Sequence, residues 1–128
     1  MRESADTLVR LCNTAAASGP SRYYARMIIV TVMYPKTSES RFDFSYYLDK
    51  HIPLVKARFT KLGMEKLDLM RGTAALDGGQ PNFALIAQLQ FSSVEHLRNA
   101  LAEHGEEIIG DIPKFTNVQP LIQMNERL

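Results

Sequence analysis

Hydrophobic periodicity in residues 27–128 predicts an α+β sandwich of the ferredoxin-like kind: a four-stranded antiparallel sheet carrying two helices in the split order βαββαβ. Three observations carry this reading. Segments of period 2 alternate twice with segments of period 3.6. Cap and stop residues punctuate both helical segments. A proline falls in the last strand, and proline is tolerated chiefly at sheet edges. In this topology the strands lie in the order 4-1-3-2, so the first and third are central.

Met27 to Tyr34 forms the first strand, apolar on both faces as suits a central strand. Pro35 to Arg41 is a polar connection. Asp43 caps a helix whose apolar stripe runs Phe44, Leu48, His51, Val55, Phe59 and Leu62, and Gly63 stops it. Leu67, Leu69 and Arg71 alternate with Lys66, Asp68 and Met70 in the second strand. Asp77 to Pro81 is a turn cluster. Phe83 to Phe91 alternates cleanly as the third strand. Ser92 and Glu95 form a capping box for a helix with the stripe Val94, Leu97, Leu101, His104 and Ile108. Gly110 to Pro113 reads as a turn into a fourth strand over 116–125, which contains Pro120. Two helices cover one face of the sheet. The other face still offers Met27, Ile29 and Met33, or their opposites, so a second subunit is expected to cover it and the chain is expected to form a homodimer.

The chain has 128 residues, a formal net charge of +1 and charged residues scattered in both signs. No basic stripe tracks a phosphate backbone, so no nucleic-acid partner is expected. No apolar run is long enough to span a membrane. The single cysteine, Cys12, cannot form a bridge within the chain, so a reducing, cytoplasmic setting is expected. Residues 1–26 form an N-terminal appendage with Arg2, Arg10, Arg22 and Arg26 against Glu3 and Asp6. Its apolar residues are too broken for a secretory signal, and its acidic residues argue against a mitochondrial leader. One short helix over 4–17 is expected, with Ser4 as cap, Leu8, Leu11, Cys12 and Ala15 on one face, and Gly19-Pro20 ending it.

His51 is the foremost candidate for chemistry. It lies on the sheet-facing stripe two residues before Pro53, whose missing N–H frees the carbonyl of Asp49 and kinks the helix. An imidazole beside such a kink suits a general acid or base, since it titrates near neutral pH. The competing use is a core histidine bonded to a local carbonyl. Tyr47, one turn earlier, could orient the ring or a ligand. His104 occupies the same kind of stripe on the second helix. With both helices expected to run in one direction, the two imidazoles stand about 6 Å apart axially on axes about 10 Å apart, facing one cavity. His104 could equally end the helix before Gly105. His96, in the first turn, faces solvent. A metal has weak support, because no His-x-x-x-His or similar cluster exists and His104-Gly-Glu-Glu107 is the nearest approach. No dinucleotide, phosphate-loop or serine-hydrolase motif is present, so no cofactor is expected. Asp111 could hold a partner chain or cap a backbone.

Three blocks in order resemble the EthD family, named for ethyl tert-butyl ether degradation. They are Met27 to Pro35; Arg41 to Val55, with its Tyr-Tyr-Leu-Asp-Lys-His-Ile-Pro-Leu-Val core; and Gly110 to Thr116 followed by Val118 to Gln123. The resemblance spans about four fifths of the chain and leaves residues 1–26 outside. It implies a dimeric α+β barrel in which two sheets pack together, with a small pocket between each sheet and its helices. The family's recurring histidine corresponds to His51. Superfamily relatives include cofactor-independent monooxygenases, polyketide cyclases and muconolactone isomerase, so fold alone is a weak guide to activity. Two functions are expected to compete. In one, a catabolic enzyme performs cofactor-independent acid/base chemistry on a small apolar or aromatic molecule, with His51 moving the proton and Tyr47 and Arg71 orienting substrate or stabilising an oxyanion. In the other, a non-catalytic protein binds a hydrophobic metabolite or supports a degradative monooxygenase.

Overall fold

The computed structural model describes residues 26–128. The helix expected over 4–17, together with Cys12, lies outside the described residues. The strands are β1 (Ile28–Pro35), β2 (Met64–Arg71), β3 (Phe83–Phe91) and β4 (Leu121–Glu126). They form one antiparallel sheet in the order β2-β3-β1-β4, which puts β1 and β3 in the centre as the patterning requires.

Register sorts the side chains into cross-strand rows. Leu67, Leu89, Val30 and Met124 make one row toward the helices, and Leu69, Ala87, Val32 and Ile122 the next. On the opposite face one row, Met70, Ile86, Met33 and Leu121, is wholly apolar. The row of Asp68, Gln88, Thr31 and Gln123 is polar, and Asn125 Nδ2 donates to Thr31 Oγ1 at 2.7 Å. The expectation of apolar residues on both faces of β1 is therefore met on the open face chiefly at Met33 and Ile29.

The first helical segment comprises α1 (Phe44–Tyr46), a π-helical turn (Tyr47–His51), α2 (Ile52–Phe59) and a short 3₁₀ turn (Thr60–Leu62). Asp43 caps it by accepting from the Tyr46 N–H, and Gly63 ends it in the left-handed region at φ 107°. The second helix, α3 (Val94–Asp111), starts one residue later than the Ser92/Glu95 box predicts. Ser92 lies in a bend ahead of the helix, and both its N–H and its hydroxyl donate to the Gly63 carbonyl. Ser93 becomes the cap and accepts from the His96 N–H. Gly105 does not end α3; it is buried mid-helix, and α3 runs on into a 3₁₀ turn (Ile112–Lys114) where a simple turn was expected.

Strand four is shorter than predicted. Thr116 bridges to Phe42 instead, and Pro120, which has no N–H to donate, precedes β4. The core lies between the sheet and the helices, where Phe91, Val94, Tyr47 and Ala100 are at most 1% exposed. Burying each large apolar side chain here contributes roughly 1.5–3 kcal/mol. Among the described residues, no helix is long and apolar enough to cross a membrane.

A buried histidine–aspartate pair facing an apolar cavity

The π-helical turn sets up the site. The Ile52 N–H reaches the Tyr47 carbonyl, five residues back, and Pro53 follows with no N–H of its own. The kink expected at Pro53 is thus absorbed as a wider turn. Inward positions are consequently spaced by four, at Tyr47, His51, Val55 and Phe59, all at most 4% exposed. Leu48, placed on the stripe by a regular 3.6 period, is turned out and 52% exposed.

The two helices run antiparallel, which corrects the expectation that they run in one direction. The antiparallel pairing of β1 and β3 dictates it, since each helix returns over the sheet against the strand that precedes it. Contacts along the seam agree. His51 meets Asp111, Arg58 Nε donates to Glu107 Oε1 at 2.8 Å, and Gly63 abuts the His96 ring. The early part of the first helical segment therefore faces the C-terminal end of α3.

That geometry gives His51 a carboxylate. His51 Nδ1 lies 2.9 Å from Asp111 Oδ2, and the Tyr46 hydroxyl donates to Asp111 Oδ1 at 2.9 Å. Lys114 Nζ stands 3.7 Å from the same oxygen. The imidazole is 4% exposed, stacked on Tyr47 with centroids 5.5 Å apart and tilted against Phe115 at 4.6 Å. Burial disfavours the imidazolium more than the hydrogen bond and charge of Asp111 favour it, so His51 titrates below an ordinary histidine. Burial alone would raise the Asp111 carboxyl. The hydrogen bonds from His51 and Tyr46 outweigh it and hold Asp111 below the usual carboxylate range. At neutral pH the pair is an ionised carboxylate and a neutral imidazole. The carboxylate can only accept, so Nδ1 carries the proton and Nε2 keeps its lone pair.

His51 lines an apolar cavity of about 70 Å³ between the sheet and the helices. Val30, Val32, Leu89, Leu101, Gly105 and Ile109 form much of its wall. Tyr34 and Tyr47 also line it, and burial pushes both phenols above an ordinary tyrosine, so they stay protonated at neutral pH.

The other candidates stand elsewhere. His104 lies about 10 Å along α3 from Asp111, beside Glu107 at 3.9 Å and outside the cavity wall. Arg71 ends β2 with its guanidinium 4.1 Å above the Phe44 ring, in a separate polar cleft with Lys36, Ser40 and Phe42. Neither reaches His51. From sequence alone Asp111 offers only a cap or a partner contact, and Tyr34 only a place in a strand. Antiparallel helix direction alone would have set Asp111 against His51. Among the described residues, no three His, Cys, Asp or Glu side chains converge to hold a metal ion.

Together these features define a small α+β protein whose helix-covered face holds an apolar cavity with a His–Asp pair at its wall. No protein-family model matches the chain, and no curated protein is significantly similar to it. Among solved structures, an EthD-like protein from Ralstonia eutropha JMP134 is 38% identical at a TM-score of 0.74, over 80% of this chain and 93% of that one. The chain belongs to the EthD family. An ethyl tert-butyl ether degradation (EthD) family protein from Bacillus halodurans C-125 shares the fold at 16% identity and a TM-score of 0.57, over 80% of this chain and 99% of that one.

Proposed function

We propose that the protein catalyses cofactor-independent proton transfer on a small apolar molecule bound in the helix–sheet cavity. One observation supports this above the others: Asp111 holds the His51 proton on Nδ1, which leaves Nε2 a base in an apolar enclosure. In such a step His51 Nε2 takes a proton from carbon beside a carbonyl, and the electron pair of the C–H bond moves onto the carbonyl oxygen. The imidazolium then returns the proton to the same or a neighbouring carbon. No oxidant or reductant is consumed. Asp111 stabilises the transient imidazolium, and the surrounding aromatic rings exclude water.

The test uses cyclopentanone in D₂O, with loss of the α-proton signal followed by NMR. Wild-type protein should accelerate exchange, and His51→Asn, which still offers Asp111 an N–H, should fold but not accelerate it. Equal exchange by both proteins would overturn the assignment. A binding protein without catalysis is the second reading. It draws support from Arg71, the cation expected to stabilise an oxyanion, standing outside the cavity. In that role the ligand would be a compact apolar molecule, an ether or its product, supplied to a degradative monooxygenase.

A homodimer is part of the same proposal. The apolar row of Met70, Ile86, Met33 and Leu121 crosses the helix-free face, with Met70 and Leu121 44% and 54% exposed. Covering it with a second sheet contributes about 25 cal/mol per Å² before association costs. Sedimentation at micromolar concentration should show a dimer, and a stable monomer would remove the barrel from the account.

A further inference from the structure

Tyr34 and Tyr47 are 2% and 1% exposed, yet neither phenolic hydroxyl has a hydrogen-bond partner among the described residues. A buried hydroxyl without a partner costs on the order of 1–3 kcal/mol, so each such group calls for an explanation. Every fully occluded side-chain nitrogen or oxygen among the described residues is satisfied. Neither hydroxyl is therefore fully occluded, and both residues line the cavity. The same holds for His51 Nε2, since only Nδ1 is engaged. The three rings form one cluster, with centroids 6.0 Å apart for Tyr34 and Tyr47 and 5.5 Å apart for Tyr47 and His51.

We infer that Tyr34 and Tyr47 are specificity residues that donate hydrogen bonds to a single carbonyl-type oxygen of an uncharged ligand whose remainder is hydrocarbon. Among the described residues that line the cavity, the two phenols are donors without a partner, His51 Nε2 is an acceptor, and the other side chains are aliphatic or aromatic. Among the described residues no lysine or arginine lines the cavity, and the Asp111 carboxylate stands directly behind His51. A carboxylate ligand would enter without a counter-charge, at a desolvation cost that the two phenols do not repay. At about 70 Å³ the cavity admits only a small ligand, a short branched or small-ring molecule. Both phenols remain protonated at neutral pH, which keeps them donors. They also supply what the cavity otherwise lacks for the proposed proton transfer, a place for negative charge on the ligand oxygen. The inference rests on the cavity being the site of action, but it concerns recognition and not proton transfer.

The test is a ¹H–¹⁵N NMR titration of the full chain with cyclopentanone, cyclopentane and isobutyrate. Cyclopentanone should bind at the cavity, cyclopentane about tenfold more weakly, and isobutyrate not at all. Tyr34→Phe and Tyr47→Phe should each weaken cyclopentanone binding about five- to tenfold and leave cyclopentane unchanged. Thermal unfolding separates recognition from a hidden structural role. Removing an unpartnered hydroxyl should leave the melting temperature unchanged or raised, whereas a clear drop would show that the hydroxyl is structural and overturn the inference. Equal binding of ketone and hydrocarbon, or ketone binding indifferent to both phenols, would also overturn it. If His51→Asn abolishes no exchange while the phenols still discriminate, proton transfer falls and the recognition site stands. Exchange that depends on His51 but not on either phenol gives the reverse.

Discussion

His51 and His104 occupy matching stripes on the two helices of a twofold βαβ pattern, yet the structure treats them oppositely. His51 is 4% exposed and bonded to a buried carboxylate, whereas the His104 side chain is 31% exposed beside Glu107 on the helix surface. The difference comes from backbone geometry and not from the residue type. On the first helix the π-helical turn widens the inward spacing to four and rotates Tyr47 and His51 together under the sheet. On α3 the helix stays regular, Gly105 takes the inward position after Leu101, and His104 falls to one side. Antiparallel packing then delivers Asp111, from the end of α3, to the histidine near the start of the other helix. A polar residue on an apolar stripe becomes a site only when another element brings it a partner.

The largest expected effect breaks the His51 pair. His51→Ala removes a buried ring and leaves the Asp111 carboxylate without its main donor, which should cost about 3–5 kcal/mol in chemical denaturation. His51→Asn keeps an N–H near the position of Nδ1 and should recover more than half of that loss. Next comes the seam that fixes the helix direction. Gly63 has φ 107°, and a Cβ there would fall 2.7 Å from the His96 ring, so Gly63→Ala should cost at least about 1–2 kcal/mol. Combining it with His96→Ala should return part of the cost. Strict additivity of the two would mean that the end of the first helical segment does not pack against the start of α3.

Acidification should expose the pair more gently. Because burial lowers the His51 pKa, the unfolded chain takes up a proton more readily than the folded one. Its contribution is complete above about pH 6.5 and is lost as the pH falls through that value toward the folded pKa. Asp111, also lowered, adds a second loss below about pH 4. Urea melts across pH 4 to 8 should show a slope that flattens in His51→Asn. The smallest effect belongs to His104→Ala, which should leave the melting temperature and cyclopentanone exchange as they were. A large loss would restore His104 as a partner of the site.

Much of this was legible from residue order. Alternation in Phe83–Phe91, the Asp43 cap and the Gly63 stop placed the elements because each rests on local chemistry that short segments express by themselves. Leu48 misled because a π-helical turn has no sequence signature apart from Pro53, and a regular period was the only rule available. Asp111 was passed over because its partner is 60 residues away. Tyr34 was hidden by its strand, where an inward aromatic reads as packing until its hydroxyl is seen to lack a partner among the described residues.

The protonation state of His51 can be read directly from the ring nitrogens by long-range ¹H–¹⁵N NMR of the histidine side chains at pH 7. The expected result is one neutral imidazole with its proton on Nδ1, an unprotonated Nε2, and a titration midpoint below that of an ordinary histidine. Asp111→Asn should release this preference for Nδ1–H. A His51 that carries its proton on Nε2, or that is already an imidazolium at pH 7, would contradict this assignment.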